Sequence, residues 1–442
     1  MREWLRGEGP FKARNPRLLV PFSALYHARA YYPVFFILFK DMGLSNQQVV
    51  ALNVVWAASI LLCEIPSGAL ADTFGRKRIL IFSAATMVLE MSLLLAASFV
   101  GGGSWLFIIC LINRLMSGLS EASSSGADEA IAYDDLPEEG RTKAWDTVLI
   151  NAMRWRSTGF LVAMTLGGLM YDPTWWNWLM PDHLHLSTTL THRLPVVLVL
   201  LQSVACLWIA CCFREERKPS SVGLIDSLRE STRRTLATAK VVVTTRLIAV
   251  VVLGGMLLDA VSRNQATLNS LYYRLVGLPD WVFGFMGSII AICNWFVPSL
   301  ANKANQRFST VGSLLIGGIV ALLALGMLVP AQLWLGLPAV MMLMMLMGYL
   351  NFTVGRFLHQ KAGSDQRATM LSVKGMAFNL GFGLYSMLFL LLISSMPDSL
   401  PGIQFQQALG WQVIGFVGFL LGYFAITRIF CGKKCPTDSS TP

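Results

Sequence analysis

Charge is scarce in this sequence of 442 residues, and acidic charge scarcest: 25 Asp and Glu stand against 35 Lys and Arg, in a chain that is 55% hydrophobic. So little polar surface cannot solvate a globule of this length, which excludes a water-soluble protein and makes lipid the solvent. Catalytic signatures are missing too. No glycine-rich loop runs into Lys-Ser or Lys-Thr, and no nucleophile elbow occurs. Neither an enzyme nor a cofactor is expected. His183, His185 and His192 share one polar loop without an acidic or cysteine cluster, and read as solvated rather than as metal ligands. Cysteines avoid the side taken below as external, so structural disulfides are not expected, and the tail pair Cys431 and Cys435 is a weak metal signal. The start, MREWLRGEGPFKARNPR, lacks the apolar core and cleavage site of a signal peptide, so insertion through the first span is expected.

What the chain has instead is a series of apolar runs, each about 20 residues long and enough to cross a bilayer as a helix. Spans are predicted at 18–40, 46–67, 79–100, 105–130, 145–170, 194–213, 247–273, 280–301, 311–330, 333–358, 368–395 and 408–431. The fold class is therefore an all-α membrane protein, with residues 1–213 as one six-helix bundle and 246–442 as a second bundle with a tail. Between them, 214–245 reads as a polar, basic cytoplasmic linker whose Leu224, Leu228 and Leu236 keep helical spacing. The net charge of +10 is not a nucleic-acid footprint. About 25 of the Lys and Arg fall in the N-terminus, alternate loops and the C-terminus, the positive-inside pattern that places both termini in the cytoplasm. Trp175, Trp176 and Trp178, in the long external loop, read as interfacial anchors.

The two halves resemble each other at an offset of 234 residues. Gly43-Leu44 falls on Gly277-Leu278, Phe74 on Phe308, and Arg29 on Arg263. Parallel repeats about an axis along the membrane normal are one way in which secondary transporters are built, with substrate taken between the halves. Between spans two and three lies GALADTFGRKR, Gly68 to Arg78, a stiff charged turn in an otherwise oily chain.

Two sixes of spans together with Gly68, Leu70, Ala71, Asp72, Gly75, Arg76, Lys77 and Arg78 resemble the major facilitator superfamily and its signature loop. EIPSGALAD and YYPVFFILF look like an efflux-type member. The resemblance implies that Asp72 faces the N-terminus of the eleventh helix, near Ser364 or Asp365. It also implies that Arg76 bonds an acid at the cytoplasmic end of the fourth helix, with Asp128 the first candidate and Glu129 the second. These contacts would latch a gate. In the second half Gln306 and Ser309 replace Asp72 and Gly75, so one latch is expected. NRLMSGLSEA looks like the superfamily's Arg-x-x-x-Gly motif at Arg114 and Gly118, a position that the family often links to proton coupling. Arg114, Gly118, Glu121 and Asp128 share one face if the span is one helix. Glu121 is thus the candidate proton carrier, or else a static partner for a base. The fifth span keeps the Gly-Gly of the antiporter motif but lacks its Gly-Pro.

Charges inside spans are costly and face a partner or a wet cavity. Arg29, Arg114, Arg154, Arg156, Arg263, Arg356 and Lys374 are opposed by only Glu64, Glu90, Glu121 and Asp259. A cavity with surplus Arg suits an anion, because guanidinium grips carboxylate or phosphate in a two-pronged fork. Arg29 and Arg263 are expected to face each other across the pseudo-twofold axis, as in the organophosphate branch of the superfamily, unless Asp259, one turn before Arg263, neutralises it. Tyr26, His27 and Arg154 complete the candidate site. The function expected is proton-coupled export, by a monomer in a bacterial inner membrane, of a small amphipathic organic anion such as a siderophore-like metabolite. The alternatives are a broad-specificity drug/proton antiporter and a proton-linked importer of an organic anion or ferric chelate.

Overall fold

Residues 2–215, 223–361, 367–396 and 401–431 are described by a computed structural model, and among them the chain is helical with no strand. The helices are α1 (Arg2–Arg6), α2 (Arg14–His27), α3 (Phe35–Asp41), α4 (Asn46–Phe74), α5 (Arg76–Ala97), α6 (Gly103–Ser124), α7 (Ala127–Asp134), α8 (Arg141–Tyr171), α9 (Pro173–Leu179) and α10 (Thr188–Cys212). The polar α11 (Leu224–Thr244) follows. Then come α12 (Arg246–Leu275), α13 (Val282–Arg307), α14 (Thr310–Leu328), α15 (Leu333–Lys361), α16 (Arg367–Ser394) and α17 (Pro401–Cys431). Two compact units result. The first holds Met1–Leu44, Ser59–Thr232 and Pro279–Ala291, the second Ser45–Ala58, Arg233–Leu278 and Ile292–Pro442, so that α4, α11 and α13 each contribute to both.

Ten stretches among the described residues are long and apolar enough to cross a bilayer. The two predicted spans that fall short do so for visible reasons. The fifth, inside α8, is continuous but carries Arg154, Arg156 and other polar residues. The first, predicted as one helix over 18–40, is interrupted. Helix α2 stops at His27, Ala28 leaves helical geometry at ψ 80, and a 3-10 turn over Tyr32–Val34 leads into α3. Pro33 supplies no N–H and restricts the residue before it, which suits the 3-10 turn, whereas Pro21 is carried inside α2 without ending it. The break is packed inside protein, where irregular backbone is tolerated at membrane depth. The carbonyl of Ala30 lies so close to α8 that a Cβ at Gly167 would overlap it, and the carbonyl of Ala24 sits against Gly159 in the same way.

The internal repeat is visible in local backbone. Gly43 (φ +111) and Gly277 (φ +78) each close the first stretch of a half. Each is followed by the same reach-back, Leu44 N–H to the Phe39 carbonyl at 3.1 Å and Leu278 N–H to the Tyr273 carbonyl at 3.0 Å. This is the six-to-one bond of a Schellman end, for which glycine is preferred because it takes positive φ without strain. The fourth predicted span also divides. Gly126, left-handed at φ +74, separates α6 from α7, so Asp128 does not share a continuous helical face with Arg114, Gly118 and Glu121.

Candidate functional site

In the first unit the interruption delivers Arg29 to the interior. Its side chain is 5% exposed and its Nη1 lies 3.3 Å from Oε2 of Glu90, on α5, which is fully buried. Tyr31 donates to the other Glu90 oxygen at 3.5 Å, and Asn113 donates to the Glu90 backbone carbonyl at 2.7 Å. Arg29 also lies over the ring of Tyr26 at 5.6 Å. The Tyr26 hydroxyl is engaged with Ser83 (2.9 Å) and Ser120 (2.7 Å), tying α2 to α5 and α6. His27 Nδ1 meets the Ser23 carbonyl at 2.9 Å, one turn back in its own helix. Arg114, 6% exposed, stacks its guanidinium 5.2 Å from the Phe35 ring. Glu121 and Arg154 are exposed on α6 and α8 respectively.

The repeat-related arginine in the second unit is neutralised from a different place. Arg263 lies mid-helix in α12, its Nη2 2.7 Å from Oδ2 of the fully buried Asp259 one turn earlier. Its Nη1 donates to Asn379 on α16 at 2.8 Å. At the 234-residue offset Asp259 corresponds to Leu25, and Glu90 to Ala324. The halves thus share the cation but not the acid, one borrowing it from a neighbouring helix and the other from its own.

The signature motif is more helical than its sequence suggests. Helix α4 runs on to Phe74, leaving Gly75 as the whole turn at φ +98. Asp72 is exposed on the last turn of α4, and a Cβ at Gly68 would meet nothing within 4 Å. At Gly75 the positive φ is what calls for glycine, and the Glu215 side chain occupies the space where a Cβ would stand. The Glu215 carboxylate accepts from the backbone N–H groups of Arg76 (2.7 Å) and Lys77 (3.1 Å). An anion is thereby held at the N-terminus of α5, where orphan donors and the helix dipole favour it.

Arg76 pairs with Asp134 of α7 at 2.6 Å, not with Asp128 or Glu129. The break at Gly126 explains the change: it re-aims α7, whose first-turn Asp128 is buried with Oδ1 accepting from the Glu129 N–H at 2.8 Å. Ser364 and Asp365, the expected partners of Asp72, lie outside the described residues. Sequence reasoning missed Glu215, Asp134, Asn113 and Asn379. Of these, only Asp134 carried a signal, in the acidic stretch just past the predicted fourth span at 105–130.

Paired helical units with ion pairs buried inside apolar helices define a multi-pass membrane protein, and its relatives say of which kind. The chain belongs to the Major Facilitator Superfamily, whose family model matches residues 18–386. No curated protein shows significant sequence similarity to it. Solved structures share the fold at low identity. The nucleoside transporter NupG is similar at a TM-score of 0.69 and 13% identity, over 94% of this chain and 98% of that one. A bacterial homologue of the human lysosomal transporter Spinster gives 0.65 and 16% over 93% and 96%. A D-xylose–proton symporter gives 0.61 and 13% over 96% and 98%.

Proposed function

We propose that the protein is a proton-coupled secondary transporter that exports a small amphipathic organic anion by alternating access. It would act as a monomer in the inner membrane of a bacterium, with both termini cytoplasmic. The observation that carries this reading is the charge imbalance within the predicted spans, seven cations against four acids, with Arg29 and Arg263 at repeat-related positions. Guanidinium groups there favour carboxylate or phosphate. The buried acids Glu90 and Asp259 hold the arginines until an anion competes for them. Glu121, on the same helix as Arg114, carries the proton, and export follows from the likeness of the motif region to efflux-type members. Asp72, with the Arg76–Asp134 pair, belongs to the gate.

One observation favours a second reading. Each repeat-related arginine already has an acid, so neither stands unneutralised for an anion, which suits a drug/proton antiporter with broader taste. The two are separated by vesicles that carry the protein, hold an acidic interior and report pH by dye quenching. Small carboxylates and phosphates are expected to dissipate the gradient with wild type and not with Glu121→Gln. Dissipation by lipophilic cations alone would move the assignment to the second reading.

A further inference from the structure

The second unit contains a charge cluster that the repeat does not explain. Lys374, on α16, is 9% exposed and donates to the Asn351 side chain of α15 at 2.8 Å, with the Asn351 backbone carbonyl at 3.4 Å. It lies within electrostatic reach of both Asp259 and Arg263. Two cations therefore share one carboxylate, and among the described residues no second acid faces Lys374. Phe378 and Phe382 hold the two cations by their ring faces, at 5.1 and 5.6 Å, which fixes positions without supplying negative charge. A buried cation without its own counter-charge is expensive, and membrane proteins keep such groups where function needs them. The cluster also has an open edge: Arg263 keeps 22% of its side chain exposed, and Asn351 is exposed.

We propose that Lys374 and Arg263 together form an anion-binding site in the second unit, with Asp259 as the internal counter-charge and Lys374 as the cation that a bound carboxylate or phosphate satisfies. This deepens, and rests on, the anionic-substrate reading above. Asn351 and Asn379 act as positioning residues, holding the ammonium and the guanidinium apart so that one anion bridges both. Lys374 spends donors on Asn351 and Arg263 on Asp259 and Asn379, which leaves the further N–H donors of each for a ligand.

The test is the thermal stability of the purified full-length protein, titrated with benzoate and, separately, with inorganic phosphate against chloride at constant ionic strength. The benzoate and phosphate arms distinguish carboxylate from phosphate recognition. Wild type is expected to gain stability with at least one anion, and Lys374→Met to bind it about tenfold or more weakly. Lys374→Met should also melt no lower than wild type without anion, because Asp259 and Arg263 are left balanced; Lys374→Arg should retain binding. Unchanged anion stabilisation in Lys374→Met would overturn the site while leaving an anionic substrate in place. A Lys374→Met protein that melts lower and still responds to anion would make Lys374 a structural partner of Asp259, and the site would again be overturned. No response of wild type to either anion would overturn both the site and the anionic reading.

Discussion

Arg29 shows how much of a buried charge's behaviour depends on one partner. With Glu90 fully buried beside it, removing the acid leaves a guanidinium in a low-dielectric interior. Glu90→Leu is expected to cost about 3–5 kcal/mol, whereas Arg29→Met combined with Glu90→Leu regains most of that loss because no unpaired charge remains. Equilibrium unfolding in mild detergent checks this, and strictly additive losses would show that the two side chains do not act as a pair. At the motif, exchanging the charges distinguishes the acids available to Arg76. Arg76→Asp should impair transport and Asp134→Arg should rescue it, while Asp128→Arg should not. Rescue through position 128 instead would restore the assignment made from the sequence. That assignment failed for a local reason: GAD, Gly126 to Asp128, reads as mid-helix until the glycine is seen to be left-handed.

At the scale of the element, the interrupted first span is the feature that the sequence concealed best. Hydropathy counts apolar residues and registers 18–40 as one run, and does not register that α2 ends at His27 and that a 3-10 turn over Tyr32–Val34 follows. The packing that accommodates the break comes from glycines on α8, about 130 residues away, which no local pattern links to Ala30. Gly167→Ala is therefore expected to force Ala30 away and to cost about 1–3 kcal/mol, with loss of transport. Gly326→Ala, in α14 where an added Cβ meets nothing within 4 Å, should be neutral or stabilising by up to about 1 kcal/mol. Equal effects in melting and surface-expression assays would contradict the close approach. The end of α4 was hidden differently. Between Gly68 and Phe74 no residue stops a helix, so the charged motif continues α4 and turns only at Gly75. Glu215, which completes that corner, follows α10, and only the fold brings it to the N-terminus of α5.

For the molecule as a whole, helical class, membrane residence and superfamily were all legible, because each rests on composition or on a contiguous motif. The repeat was legible at Gly43 and Gly277 for the same reason: a positive-φ helix end has a one-residue signature. The acids that neutralise Arg29 and Arg263 were only half legible. Asp259 is one helical turn from Arg263 and could be read from spacing, whereas Glu90 reaches Arg29 from another helix. Asp72→Asn should lower flux with insertion intact, as a gate residue exposed at the end of α4 would; normal flux in a transport assay would remove Asp72 from the gate. The central claim is export of an organic anion, and the most direct measurement compares, without a preset target, the small molecules inside and outside cells lacking the protein and cells overproducing it. An anionic metabolite that accumulates within the deletion cells and disappears from their medium is the predicted result. A compound left unused in the medium by those cells would mean uptake and contradict the direction, and a neutral or cationic compound would contradict the substrate class.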